Sequence, residues 1–186
     1  ARPNPRPADG SAGRRRIGIL CRTFEKGPDS EAVVAMFRAF DQSRYEIFAY
    51  SVGFRDRVIS ADTTFDRDFD AAITHRRLLP PDATSLRAQI LADDLDVFLF
   101  ANATTYGLRD QELALYHPVA PVQAVMNSHV PMSLGFPSFS AYITGLSDHA
   151  DHDVAQKDFP ERLLRVKGPV ISFLTSFKPR ANPPLD

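Results

Sequence analysis

A single cysteine, Cys21, leaves no partner for a disulfide within the chain. A disulfide-stapled fold is therefore excluded, and a reducing compartment, the cytoplasm, is the expected setting. Cys21 closes the apolar run "RIGILC", where a free thiol behaves as a small hydrophobe and not as a nucleophile. No stretch comes near the roughly 20 apolar residues that a membrane span needs, and no signal peptide is visible. The formal net charge of −1 gives no long-range field for nucleic acid or an anionic membrane, so neither is expected as a partner. The basic run Arg14, Arg15, Arg16 leads straight into an apolar strand and reads as part of the fold's edge. Also missing are G-x-G-x-x-G and G-x-x-x-x-G-K-[ST], so neither a dinucleotide nor a triphosphate cradle is supported. There is no internal repeat, no Ser/His/Asp order, no close carboxylate pair of a hydrolase, and no acidic pair after "IGIL" to hold the Mg²⁺ of a receiver-like domain.

What is present is the make-up of one ordinary globular domain: 186 residues, 44% hydrophobic and 24% charged. Pro/Gly/Ser-rich sequence at residues 1–13 reads as a tail, 14–176 as the domain, and 177–186 as a linker. Between the tails, strand and helix patterns alternate. "RIGILCRTF" and "YEIFAYSVG" are strands, and "DSEAVVAMFRAFDQ" puts Val33, Met36, Phe37 and Phe40 at helical spacing behind the capping residues Asp29 and Ser30. "FDAAITHRRL" reads as a short strand and "ATSLRAQILADDL" as a helix. "DVFLFAN" is a continuous apolar run, the mark of a strand covered on both faces. "GLRDQELALYH" is helical, and "VQAVMN", "AYITG" and "RLLRVKG" are further strands. The alternation predicts an α/β fold with a doubly wound, mainly parallel sheet, with Val97 to Phe100 in a fully buried central strand.

Such sheets bind ligands beyond the carboxyl ends of their strands, where strand order reverses. Four segments end there: "RTFEKGPDS", "SVGFRD", "ANATTYG" and "NSHVPMSLG". Gly27 and Pro28 precede a helix whose free N–H groups suit an anion, although Glu25, Asp29 and Glu31 crowd the same mouth with negative charge. Asn102, Thr104 and Thr105 follow the most buried strand. Ser128, His129 and Ser133 bring hydroxyl and imidazole groups, with Pro131 fixing φ and Gly135 free to take φ > 0. His129 is the candidate general base. His75 and His117 border elements and read as structural. "SDHADHD" interleaves His149 and His152 with Asp148, Asp151 and Asp153; such donors suit Zn or Mn, but the spacing reads as a solvated loop.

The stretch "APVQAVMNSHVPMSLGFPSFSAYIT" resembles a segment with an L-A-P-[VI]-Q opening, a G-[HY]-P-x-[TS]-[TS]-G loop and an I-D-Y-x-[IL] strand. That segment belongs to the O-linked N-acetylglucosamine transferases, their SPINDLY-type relatives and the bacterial adhesin N-glucosyltransferases. "RIGILCRTFEKGPDSEAVVAMFRAFDQSRYEIFAYSV" is similar to the family's first strand, turn, helix and second strand. "LADDLDVFLFANATTYGLRDQELALYHPVAPVQ" is similar to its D-I-L-V-x-x-x-G-x-[TS] strand and following helix, and "VAQKDFPERLLRVKG" to its A-E-x-Y-S-E-x-L-x-x-L-P piece. The resemblance runs from about Arg15 to Gly168.

It implies the N-terminal, acceptor-side half of a GT-B architecture, joined elsewhere to a donor-binding C-terminal domain. The implied chemistry is inverting, metal-independent transfer of a hexose or N-acetylhexosamine from a nucleoside diphosphate sugar to a Ser, Thr or Asn side chain of an acceptor protein, with no cofactor. Gly27, Pro28, Asn102, Ser128, Ser133 and Gly135 are the implied substrate-binding residues and His129 the catalytic one. The sequence departs from the S-x-D-F-x-x-H-P-T pattern by placing Thr23 and Gly27 at its Asp and His positions, and Ser140 at the Asp of I-D-Y. These losses support a second reading, a degenerate non-catalytic domain kept as a protein-binding scaffold.

Overall fold

The computed structural model describes residues 13–21, 24, 28–52, 63–101, 114–126, 133, 135–145 and 152–167. The elements are β1 (Arg15–Cys21), α1 (Pro28–Arg38), β2 (Tyr45–Ser51), α2 (Thr63–Ala72), β3 (His75–Leu78), α3 (Ala83–Ala92), β4 (Val97–Phe100), β5 (Val122–Met126), β6 (Ala141–Gly145), α4 (His152–Gln156) and β7 (Arg162–Val166). The strands form one seven-stranded sheet in the order β3-β2-β1-β4-β5-β6-β7, and every pairing is parallel. This is the doubly wound α/β arrangement that the alternating sequence pattern predicts.

β4 is the middle strand, as "DVFLF" predicts. Phe98, Leu99 and Phe100 are buried; Val97, its first residue, is only half-buried because it opens the strand at the amino edge. Its register with Ile17 to Leu20 on β1 and with Val122 to Val125 on β5 leaves neither edge unpaired. Alternate residues feed two cores. On one face Ile17, Ile19, Ile47, Leu99 and Ala124 meet Val33, Val34 and Phe37 of α1 and Phe69 and Ala72 of α2. On the other, Leu20, Tyr50, Phe98, Phe100 and Tyr142 meet Leu86 and Ile90 of α3 and Ala155 of α4. Helices on both faces are what right-handed crossovers in two directions produce.

Three local readings are corrected. Asp29 and Ser30 do not precede α1: the helix already includes Pro28, a residue favoured in a first turn, and Ser30 is buried. "FDAAITHRRL" divides between two elements, its first half closing α2, with Phe69 and Ala72 at helical spacing on the core, and its second half forming β3. Part of "SDHADHD" is ordered as the short helix α4, which packs Ala155 into the core. α3 begins as its sequence suggests, with the Asp82 carboxylate accepting the Ser85 N–H at 2.8 Å.

The basic run is absorbed at the amino edge of the sheet. Arg15 pairs with Asp96 at 3.2 Å, and the Arg16 N–H donates to the other Asp96 oxygen at 2.8 Å. Arg16 Nε donates to Glu46 at 3.1 Å, and His75 Nε2 lies 2.8 Å from the other Glu46 oxygen. Asp93, after α3, accepts from Tyr50 Oη at 2.7 Å and from Arg77 Nη2 at 3.1 Å. These bonds join β1, β2, β3 and the approach to β4. The His75 hydrogen bond, helped by Arg16 and Arg14 against the opposing effect of burial, holds the Glu46 carboxyl below its ordinary value of 4.5. A depressed carboxylate stabilises the fold above its unfolded-state pKa, and that contribution disappears as pH falls through the folded value. Glu46→Gln should therefore lower stability at neutral pH, with the gap to the parent protein closing well below pH 4.5. Thermal unfolding of both proteins across that range checks this.

Gly18 sits where β1 passes beneath Tyr50 and Leu95. A Cβ there would run into Leu95 Cδ1 and lie 2.9 Å from Tyr50 Cε2. Gly18→Ala should cost about 1–3 kcal/mol through overpacking, measured by urea denaturation.

Candidate functional site

In a sheet of this order the switch point lies between β1 and β4, where the chain winds outward in opposite directions. Sheets of this class take ligand in the crevice outside the carboxyl ends of these strands, which here are marked by Cys21 and Ala101, both buried. Phe24 packs onto Phe69 of α2, ring centroids 5.1 Å apart and planes inclined at 61°, an edge-to-face contact. α1 begins at Pro28, so the first turn of an eleven-residue helix stands next to the crevice. Buried Cys21 belongs to the core with Val33 and Phe37. The ionic clamps described above occupy the opposite edge of the sheet.

Of the residues read as the site, Gly27, Asn102, Ser128 and His129 lie outside the described residues. Pro28 is the opening residue of α1, the helix that follows β1. Ser133 and Gly135 are placed, and they are held together. The Ser133 hydroxyl donates to the Glu161 carboxylate, with oxygens at 2.8 and 3.0 Å, and accepts the Gly135 N–H at 2.8 Å. Gly135 takes φ +64°, the left-handed conformation that glycine accepts most easily.

This arrangement modifies the expectation that Ser133 turns a free hydroxyl towards ligand. Its single proton goes to Glu161, one residue before β7 and only 1% exposed. β7 starts beside the start of β6, since Ala141 is paired with Arg162. The Arg162 N–H also donates to the Ser140 carbonyl at 3.1 Å, and the Ser140 N–H to the Gln123 carbonyl at 3.0 Å. Ser133 is thus fastened near the amino ends of β6 and β7. The connection leaves β5 at Met126, on the carboxyl edge, and is pinned nearer the other edge by Ser133.

Glu161 is the residue that sequence reasoning missed. It is an acidic residue at a strand start, with no neighbouring chemistry to single it out. Its signal was the E-x-L of the resembling pattern, which Glu161 and Leu163 reproduce. The turn that carries it is fixed by Gln156 of α4, whose Nε2 donates to the Glu161 carbonyl at 2.9 Å and whose Oε1 accepts the Leu163 N–H at 2.9 Å. Among the described residues no group of three or more His, Cys, Asp or Glu could hold a metal ion, and His149 of "SDHADHD" lies outside them. No helix among the described residues is long and apolar enough to cross a membrane.

The fold has a counterpart of known structure. A mutant of the O-GlcNAc transferase of Thermobaculum terrenum superposes with a TM-score of 0.68 over 91% of this chain, at 20% identity. The chain spans 31% of the length of that protein, about a third. No protein-family model matches the chain, and no curated protein matches it in sequence. At 20% identity the likeness is one of fold.

Removing the Glu161 carboxylate should leave the half-buried Ser133 hydroxyl and its turn without their anchor. Glu161→Ala should lower stability by about 1–3 kcal/mol, and Glu161→Gln by less because its amide oxygen still accepts. Denaturant unfolding of the two variants against the parent checks the order.

Proposed function

We propose that this chain is the acceptor-side half of a protein glycosyltransferase. In this reading it works with a donor-binding domain to move a hexose or N-acetylhexosamine from a nucleoside diphosphate sugar to a Ser, Thr or Asn side chain. The observation that carries the reading is the superposition of 91% of the chain on part of an O-GlcNAc transferase, over a region where "APVQAVMNSHVPMSLG" also resembles that family. The parallel sheet supports it by setting a crevice at the β1/β4 switch point, where a sugar donor held by a facing domain would meet an acceptor side chain. His129 stands three residues beyond Met126 in sequence, in the segment that follows β5. Its imidazole is the proposed general base that takes the proton of the acceptor group. Gly27, Pro28, Asn102 and Ser128 are the other residues proposed to line the crevice, and no metal or cofactor is required. Ser133 and Gly135 contribute as the fastened end of the His129 connection.

One sequence observation favours a second reading, a non-catalytic scaffold. Thr23 and Gly27 replace the Asp and His of the resembling pattern, and neither can transfer a proton as those groups do. A transfer assay on the natural full-length protein separates the two. Under the transferase reading His129→Ala lowers turnover by about 100-fold, the scale of lost general-base catalysis. Unchanged turnover in that variant would remove His129 from the mechanism, and no transfer by the parent protein would favour the scaffold.

The chain alone should bind nucleoside diphosphate sugars too weakly for calorimetry in the micromolar range. Most donor contacts belong to the other half in this reading, and Glu31 adds negative charge in the first turns of α1. Micromolar affinity for such a donor would contradict the assignment as the acceptor-side half.

A further inference from the structure

The sheet has two outer edges, β3 and β7, and an outer strand offers its backbone hydrogen-bonding groups to any chain that can pair with it. β3 is only four residues long and carries Arg76 and Arg77. β7 is longer, and Leu164 and Val166, on one of its faces, are 40% and 42% exposed. Among the described residues β6 is its one strand neighbour. Ala141 pairs with Arg162, whose N–H donates to the Ser140 carbonyl, so the backbone groups of Arg162 point to β6. In a parallel ladder those of the residues on either side then point outward. The Glu161 carbonyl and the Leu163 N–H therefore belong to the outer edge.

A side chain already sits on that edge. Gln156 of α4 donates from Nε2 to the Glu161 carbonyl at 2.9 Å, and its Oε1 accepts the Leu163 N–H at 2.9 Å. One residue of a neighbouring parallel strand would make this same pair of bonds, to the residues before and after Arg162. The Gln156 amide thus takes the place of an eighth strand's peptide group. A third bond, from Nε2 to the Phe159 carbonyl at 3.2 Å, helps to hold the amide in that position.

We propose that Gln156 shuts the β7 edge against a second copy of this chain. Two identical edges meet about a two-fold axis, which makes the paired strands antiparallel. With that axis at Leu164, Leu164 faces its own counterpart and Val166 faces Arg162 of the second copy. The apolar surface that Leu164 and Val166 expose would then be covered. The bonds between copies would join Leu163 to Arg165, because both residues point their backbone groups away from β6. That pairing needs the Leu163 N–H of each copy, and Gln156 already holds it. This inference is independent of the transferase reading.

Gln156→Met keeps an unbranched side chain of similar size and removes both bonding groups. In sedimentation velocity of the 186-residue chain, this variant should move from the parent's mass towards twice that mass as concentration rises, with far-UV circular dichroism unchanged. Adding Leu164→Lys sets two like charges directly opposite each other at the axis and should restore the parent's mass. Gln156→Ala opens the same edge if Gln156→Met fails to fold. A Gln156→Met chain that keeps the parent's mass at every concentration would overturn the proposal. A doubled mass that Leu164→Lys leaves in place would overturn it as well.

Discussion

The structure depends on β1 being hydrogen-bonded on both sides. One edge of the strand runs from Arg15↔Tyr45 to Cys21↔Ser51 against β2, and the other from Ile17↔Val97 to Leu20↔Phe100 against β4. That double pairing makes the chain wind outward in two directions, which puts α1 and α2 on one face and α3 and α4 on the other. It also makes the carboxyl ends of β1 and β4 the switch point of the sheet, since the chain next packs on opposite faces, as α1 after β1 and at Ala114 and Leu115 after β4. Gly18 is the local condition for it: Tyr50 and Leu95 occupy the space that any side chain would need.

The two edges of the sheet do different work. At the amino edge, charges are matched and fixed: Arg15 with Asp96, and Arg16 and His75 with Glu46, while Arg77 and Tyr50, later in β3 and β2, bond Asp93 after α3. Partly exposed pairs of this kind each contribute modestly to stability, so their main effect is to lock the strand starts in register. The residues proposed for chemistry belong instead to segments that follow the carboxyl ends. On the proposed reading, function is separated from the interactions that hold the fold, and the transferase and scaffold readings share one architecture.

Much of this was legible in the sequence. "DVFLF" announced a strand covered on both faces because an unbroken apolar run has no polar side to give to water, and it is the middle strand. "FDAAITHRRL" misled because a short apolar run has no clear period; only the placement of Phe69 and Ala72 against α1 decides for a helix. Ser133 was singled out for its hydroxyl, but what that hydroxyl bonds to depends on Glu161, 28 residues away in sequence. A contact of that range leaves no local trace. The same holds for Asp96, whose carboxylate is committed to β1 some 80 residues away.

The central claim is that ligand is met at the β1/β4 crevice. The most direct test is hydrogen–deuterium exchange of the natural full-length protein, with and without a nucleoside diphosphate sugar and a Ser/Thr acceptor peptide. The account predicts new protection in the segments that follow β1, β4 and β5, around Gly27, Asn102 and His129, with the amino-edge segments at Arg16, Glu46 and Asp96 unchanged. Protection centred on the amino edge, with none after β1, β4 and β5, would contradict it.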